Sequence, residues 1–224
     1  MKNLLKLFVV VLVCTMTTES FAQRIGVKAG LNLSNMLMKD DDDTYSDDYK
    51  MLPGFHVGVI AEIPFNDMIS FEPGLLLSTK GFKYEYNETL FGFDVKEKAK
   101  MNLYYIDIPL NFKASFEVGD ANVYGAIGPY IGYGISGKIK AEATVMGETE
   151  TETEDINWGS DEEKDDLKPL DLGLTVGAGL EYNSFLFGIS YGYGLANISP
   201  YTDDGSKISN RVLGISVGYM IGER

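Results

Sequence analysis

The sequence predicts an all-β fold, an eight-stranded antiparallel up-and-down transmembrane β-barrel. Segments of roughly 10 to 16 residues alternate between apolar residues on one face and glycine, small polar or charged residues on the other. The connections between these segments alternate between long acidic loops and short turns, and aromatic residues cluster toward both ends of the strands. Successive side chains of a strand point to opposite faces. Each segment is long enough for a tilted membrane-spanning strand, which needs about 9–11 residues.

Eight segments have this alternating pattern, and they are residues 24–35, 54–63, 68–84, 101–116, 121–137, 169–182, 185–198 and 208–221. The long loops between them are residues 36–53, 87–99, 138–168 and 199–207. The short turns are residues 64–67, 117–120 and 183–184. In an up-and-down meander, long and short connections lie at opposite ends, as in outer-membrane barrels. The loop 138–168 includes the sequence ETETETED, and we expect it to be too polar to build a core.

The N-terminal segment has the pattern of a secretory signal peptide. It has two early lysines, an apolar core over residues 7–13 and a small-x-small motif at residues 20–22. We therefore predict a signal peptide over residues 1–22 and a barrel domain over residues 23–224. A lipoprotein anchored at Cys14 is disfavoured, because a bulky valine stands where a small residue is expected.

The apolar face of the strands has two interpretations. It points inward in a water-soluble, lipocalin-like barrel, and outward to lipid in a membrane barrel. The opposite face is rich in glycine, which suits the crowded interior of a small barrel, and two aromatic girdles fit the two membrane interfaces. In the hairpin 101–138, Ile106, Ile108 and Leu110 would then contact lipid, while Asp107 and Lys113 would lie inside.

Composition excludes several classes of protein. The full chain has a formal net charge of −14, which argues against a nucleic acid partner. Its one cysteine lies in the predicted signal peptide, so the barrel domain has no disulfide and no thiol nucleophile. The sequence contains no phosphate-binding loop, zinc motif or catalytic triad. We therefore expect neither enzymatic activity nor a cofactor.

Five segments resemble the recurrent strands of the PorT-like outer-membrane β-barrel family of Bacteroidetes. These are GVKAGLNLSN, FEPGLLLSTKGF, YYIDIPLNFKASF, YGAIGPYIGYGISGK and DLGLTVGAGLEY, and the resemblance extends over essentially the whole predicted barrel domain. The resemblance implies location in the outer membrane, in contact with its lipid and lipopolysaccharide. It also implies a link to protein secretion, because the family is named for a member that secretion requires.

The charged residues of the polar face are candidates for an interior plug. An eight-stranded barrel is just wide enough for side chains to fill its interior, and charges buried there must be paired. The candidates are Lys28, Glu62, Glu72, Lys113 and Glu181 toward the short turns, with Asp107 higher. A plug favours a structural or interaction protein, whose partner meets the extracellular loops or the periplasmic turns. The alternative is a gated or proton-conducting lumen, or a small-solute channel.

The remaining candidates carry weaker signals. His56, the only histidine, falls on the interior face, which is the wrong side for an enzyme acting on membrane lipid. An acidic run is a candidate cation-binding loop, because Ca²⁺ prefers carboxylate oxygens, but it lacks EF-hand spacing and is also explained as a solvated loop. Its members are Asp40, Asp41, Asp42 and Asp43. Trp158, in a polar loop, is a candidate for contact with an extracellular partner or for packing on the barrel rim.

Overall fold

The computed structural model describes residues 24–44, 49–90, 93–145 and 148–222. The predicted signal peptide, residues 1–22, lies outside the described residues. The strands are β1 (Arg24–Lys39), β2 (Tyr49–Lys50), β3 (Leu52–Pro64), β4 (Ile69–Leu90), β5 (Phe93–Val118), β6 (Ala121–Val145), β7 (Glu148–Asp155), β8 (Leu170–Tyr182), β9 (Phe185–Gly194) and β10 (Lys207–Ile221). One short 3-10 helix, Asp203–Gly205, precedes β10.

Eight of the ten strands form a closed antiparallel barrel. They follow the order β1-β3-β4-β5-β6-β8-β9-β10, and β10 pairs with β1 to complete the ring. This closing ladder runs from Ile25 opposite Ile221 to Lys39 opposite Lys207. The predicted eight-stranded up-and-down barrel is therefore confirmed.

The apolar face points outward. Leu31 and Ile127 are 65% and 59% exposed on the outer wall, whereas Glu62 and Lys113 are buried inside. A wall of exposed branched and aromatic side chains fits lipid, and closure of the ring leaves no unpaired strand edge in the hydrocarbon. Among the described residues, no helix is long and apolar enough to span a bilayer.

Tight turns join the strands at one end of the barrel. Between β8 and β9, Asn183 and Ser184 have positive φ angles of 47° and 69°, as in the two-residue turns that suit the twist of a hairpin. The predicted strand 185–198 is too long, since β9 ends at Gly194. The chain then leaves the wall, because Ile198 is completely buried in the barrel mouth.

Two predicted loops were wrong. Most of the segment 87–99 is strand, because β4 continues to Leu90 and β5 begins at Phe93. In the segment 138–168, β6 continues to Val145 and β7 pairs with it. Charged residues recur along these strands, in alternation with threonine in β7, and the cross-strand pairs form in water, where neither face needs to be apolar. These extensions make β4, β5 and β6 22, 26 and 25 residues long, against 13 and 10 for β8 and β9.

Candidate functional site

A buried ionic layer lies toward the short-turn end of the barrel. Arg24, at the start of β1, hydrogen bonds through Nη1 to Glu181 Oε1, and through Nη2 to Glu181 Oε2 at 3.0 Å and to Glu62 Oε2 at 2.5 Å. Lys113 Nζ donates to Glu62 Oε2 at 3.1 Å and lies 3.6 Å from a Glu181 oxygen. Arg24 was absent from the sequence-based candidates. It shares its face of β1 with Gly26 and Lys28, and that periodicity could have identified it.

The remaining members of this lower layer surround Lys113. Glu72 lies 3.7 Å from Lys113 Nζ and 3.9 Å from Lys28 Nζ. Lys113 Nζ also lies over the ring of Tyr124, 4.7 Å from the ring centroid. Ser70 Oγ donates to the remaining Glu62 oxygen at 3.0 Å. The lower layer thus holds three cations and three carboxylates in mutual contact.

A second ionic layer lies nearer the long-strand end. Lys80 Nζ donates to Asp107 Oδ1 at 2.9 Å and to Asp171 Oδ2 at 3.0 Å. Asp171 also accepts hydrogen bonds from Tyr130 and from Asn210 Nδ2, the latter at 2.9 Å. The sequence analysis placed Asp107 higher in the barrel than the other plug candidates. Lys80 and Asp171, which contact each other in this layer, were absent from those candidates. Both lie on the polar face of their strands, where the same alternation could have found them.

A cavity of about 110 Å³ separates the two layers. Lys28 and Glu72 bound it below, and Lys80 and Asp107 bound it above. Glycines of β8, β9 and β10 form part of its wall and leave this space open. His56 lines it too, with Nδ1 2.7 Å from Asn32 Oδ1, so the imidazole lies inside the barrel and away from lipid.

The barrel mouth is filled by apolar side chains, contrary to the expectation that the segment 138–168 is too polar to build a core. Ile156 and Leu167 from this segment are buried against Leu103 and Tyr105 of β5. Trp158 packs edge-on against Tyr105, with ring centroids 5.5 Å apart. The few apolar residues of an acidic segment thus suffice to cover the mouth, and Trp158 contributes by packing over the lumen.

The long strands continue beyond the mouth as a protruding sheet, which comprises residues 49–50, 81–90, 93–103, 136–145 and 148–155. We call its inner face the side that continues the lumen wall, and its outer face the side that continues the lipid-facing wall. On β7 every glutamate lies on the inner face: Glu148, Glu150, Glu152 and Glu154. They stand beside Ala141 and Ala143 of β6. Along β7 the inner face is therefore strongly acidic, and the alanines of β6 leave these glutamates uncovered on that side.

The candidate cation-binding loop follows β1. Asp40 Oδ1 accepts hydrogen bonds from the backbone N–H groups of Asp42 and Asp43, at 2.9 and 2.7 Å. The Asp40 carboxylate thus has protein partners. Across the described residues, no group of three or more histidine, cysteine or acidic side chains is arranged to hold a metal ion. Cation binding by Asp40–Asp43 stays a prediction.

Solved structures of outer-membrane barrels resemble this chain at low identity. Ail of Yersinia pestis, solved with the heparin analogue sucrose octasulfate, is 17% identical with a TM-score of 0.36, over 90% of this chain and 100% of Ail. Neisserial surface protein A is 13% identical with a TM-score of 0.41, over 89% and 97%. The N-terminal barrel of Pseudomonas aeruginosa OprF is 12% identical with a TM-score of 0.29, over 88% and 97%.

A search of curated proteins found no match. The family model described as outer membrane protein beta-barrel domain matches residues 21–199, which is most of the chain. The closed ring with an apolar outer wall agrees with that match. The chain belongs to the outer membrane protein beta-barrel domain family and is located in the outer membrane.

Proposed function

We propose that this barrel is sealed and acts as an interaction protein, which anchors the protruding sheet in the outer membrane and presents it to a partner outside the cell. The observation that carries this proposal is the contrast between the ion-paired lumen and the sheet that protrudes from the barrel mouth. Two ion-paired layers lie across the lumen, while β4 to β7 form a sheet that extends beyond the mouth.

The paired charges support a sealed lumen. In the lower layer Arg24 of β1 and Lys113 of β5 bind carboxylates of β3 and β8. These contacts link four strands of the wall across the lumen. Opening a path there would separate buried ions from their partners, at a cost of several kcal/mol for each unpaired charge. These contacts support the proposal that the lower layer acts as a plug, to which Arg24 also belongs.

The charge of the protruding sheet supports a cationic partner. The glutamates of β7 and Glu97 of β5 lie on the inner face, and no lysine or arginine shares that face among the described residues. An extended basic segment could lie along β7, with backbone hydrogen bonds to its free edge and lysines or arginines against the glutamates. In the described part of the chain β7 pairs with β6 alone.

Membership of the PorT-like branch, and with it a link to protein secretion, is part of the proposal. It rests on the strand sequences quoted above, and it would direct attention to the short turns, such as Asn183-Ser184, as a periplasmic contact surface. Bacterial outer-membrane barrels place such turns at the periplasmic end.

Two measurements test the proposal. In planar-bilayer recordings of the refolded protein, we expect no steady conductance. A steady conductance would instead support the alternative, a small-solute channel. For the partner, we expect a lysine-rich peptide to bind the wild type several-fold more tightly than Glu150→Gln/Glu152→Gln. Glu162→Gln/Glu163→Gln removes the same charge from another exposed segment and should bind as the wild type does. Equal weakening in both variants would show general acidity rather than a specific surface.

A further inference from the structure

The outer face of the protruding sheet carries a row of lysines. Lys50 of β2 stands opposite Lys83 of β4, Lys83 stands opposite Lys100 of β5, and Lys100 stands opposite Lys140 of β6. Four neighbouring strands thus place four ammonium groups side by side. We call these four residues the lysine row.

Such a row is unfavourable by itself, because like charges directly opposite each other in a sheet repel. Glu85 pairs with Lys50 and Lys83 at 2.7 and 2.6 Å, and Glu142 pairs with Lys140 at 2.5 Å. Lys100, at the centre of the row, has no ion-pair partner among the described residues.

Positive charge exceeds negative charge over the whole outer face of the protruding sheet. Two further lysines of β5, Lys96 and Lys98, are exposed on this face, and Lys138 lies on β6. By strand register among the described residues, seven lysines and four acidic residues lie on this face, and the four are Glu85, Asp94, Glu142 and Asp155. The surplus stands out in a chain with a net charge of −14, and it faces away from the acidic inner face. Charge complementarity therefore calls for an anionic ligand.

The position of the row identifies the kind of anion. The outer face continues the lipid-facing wall, where Tyr104 of β5 is exposed at the level expected for an interfacial aromatic girdle. Lys100 lies on the same face of β5, four residues before Tyr104 and about 13 Å from it along the strand, on the side away from the short turns. The row therefore lies above the hydrocarbon and faces the headgroups of the surrounding outer-leaflet lipid, so a phosphate carried by that lipid can reach it without leaving the membrane.

We propose that the lysine row binds the phosphate groups of a lipopolysaccharide molecule seated against the β4–β5–β6 wall. Phosphate oxygens would accept charge-assisted hydrogen bonds from Lys100 and its neighbours, while the acyl chains contact the apolar wall below. This lipid site lies on the face opposite the proposed partner surface, so either proposal can fail without the other.

The test measures lipid A binding to the refolded protein in a neutral detergent by native mass spectrometry. Lys100→Gln/Lys140→Gln should bind bisphosphorylated lipid A roughly 30-fold more weakly than wild type, since each lysine near an anionic surface contributes about fivefold. Lys164→Gln/Lys168→Gln, with the same change of charge in the segment between β7 and β8, should bind as the wild type does. Circular dichroism confirms that each variant is folded, and Lys100→Gln alone replaces the double variant if that does not fold.

Two ligand controls separate the sources of phosphate. Dephosphorylated lipid A should bind the wild type and the row variant equally. Inorganic phosphate should compete only at far higher concentration than lipid A. The proposal is overturned if the row variant retains wild-type affinity for bisphosphorylated lipid A, if the control variant loses as much, or if inorganic phosphate competes on equal terms.

Discussion

Replacing Lys113 by methionine should destabilise the barrel strongly. The lysine side chain is fully buried, and its Nζ lies 3.1, 3.6 and 3.7 Å from carboxylate oxygens of Glu62, Glu181 and Glu72. Methionine keeps most of the volume but leaves the three carboxylates with fewer cations. Removing one partner of a buried ion pair costs about 3–5 kcal/mol, and we expect a loss of that size in the free energy of unfolding. Urea unfolding of the protein in lipid vesicles, followed by circular dichroism, measures it.

Two further variants show whether charge is the cause. Lys113→Met/Glu62→Gln removes a carboxylate together with its cation, so it should be less destabilised than the sum of the single variants, by about 1–3 kcal/mol. Lys164→Met removes an exposed lysine paired with Asp161 and should leave the unfolding free energy unchanged. If the unfolding free energy of Lys113→Met lies within about 1 kcal/mol of wild type, the lower layer does not hold the wall together.

Three other predictions follow from the protruding sheet and the mouth. Hydrogen bonds, the largest effect being that from Lys50, lower the pKa of Glu85 to about 2 from 4.5. The contribution of the ionised Glu85 carboxylate to stability should therefore be present above pH 4.5 and be lost as the pH falls toward 2. An NMR titration of Lys50→Gln should show the pKa of Glu85 move back toward 4.5. A side chain added at Gly134 would overlap the ring of Trp158, so Gly134→Val should expel the chain's single tryptophan and shift its fluorescence to the red. Gly81 has a φ of 138° and no space for a Cβ, so Gly81→Ala should lower the unfolding free energy by about 1–3 kcal/mol in the same urea assay.

The alternation of residues predicted the barrel strands, and the glycine-rich polar face and the two aromatic girdles predicted that the apolar face points outward. A period of two assigns each side chain to one side, and a one-residue error would have placed Lys113 in lipid and Phe112 in the lumen. The same rule placed His56 inside. Turn chemistry was equally local, and the two-residue turn at Asn183-Ser184 is found where expected.

What the sequence did not reveal depends on contacts between distant strands. Lys80 and Asp171 lie on predicted polar faces, but their contact depends on the register and tilt of strands 91 residues apart in the chain. Arg24 is the first residue of the first strand, and it was overlooked although the alternation places it on the polar face with Gly26 and Lys28. The segment ETETETED does alternate with a period of two, yet without an apolar face that signal was interpreted as a loop.

The ladder between β1 and β10 has a consequence for assembly. It joins Ile25 to Ile221, so the segments that seal the ring are separated by nearly all of the described chain. Every other pair of adjacent barrel strands is joined by a much shorter stretch of chain, and closing a short loop costs less entropy than closing a long one. The hairpins should therefore form early and the β1–β10 seam last, with the rate of folding set by this one encounter. Until then the edges of β1 and β10 carry unpaired backbone groups, and in a half-closed sheet those groups must be hydrogen bonded by water or by an assembly factor.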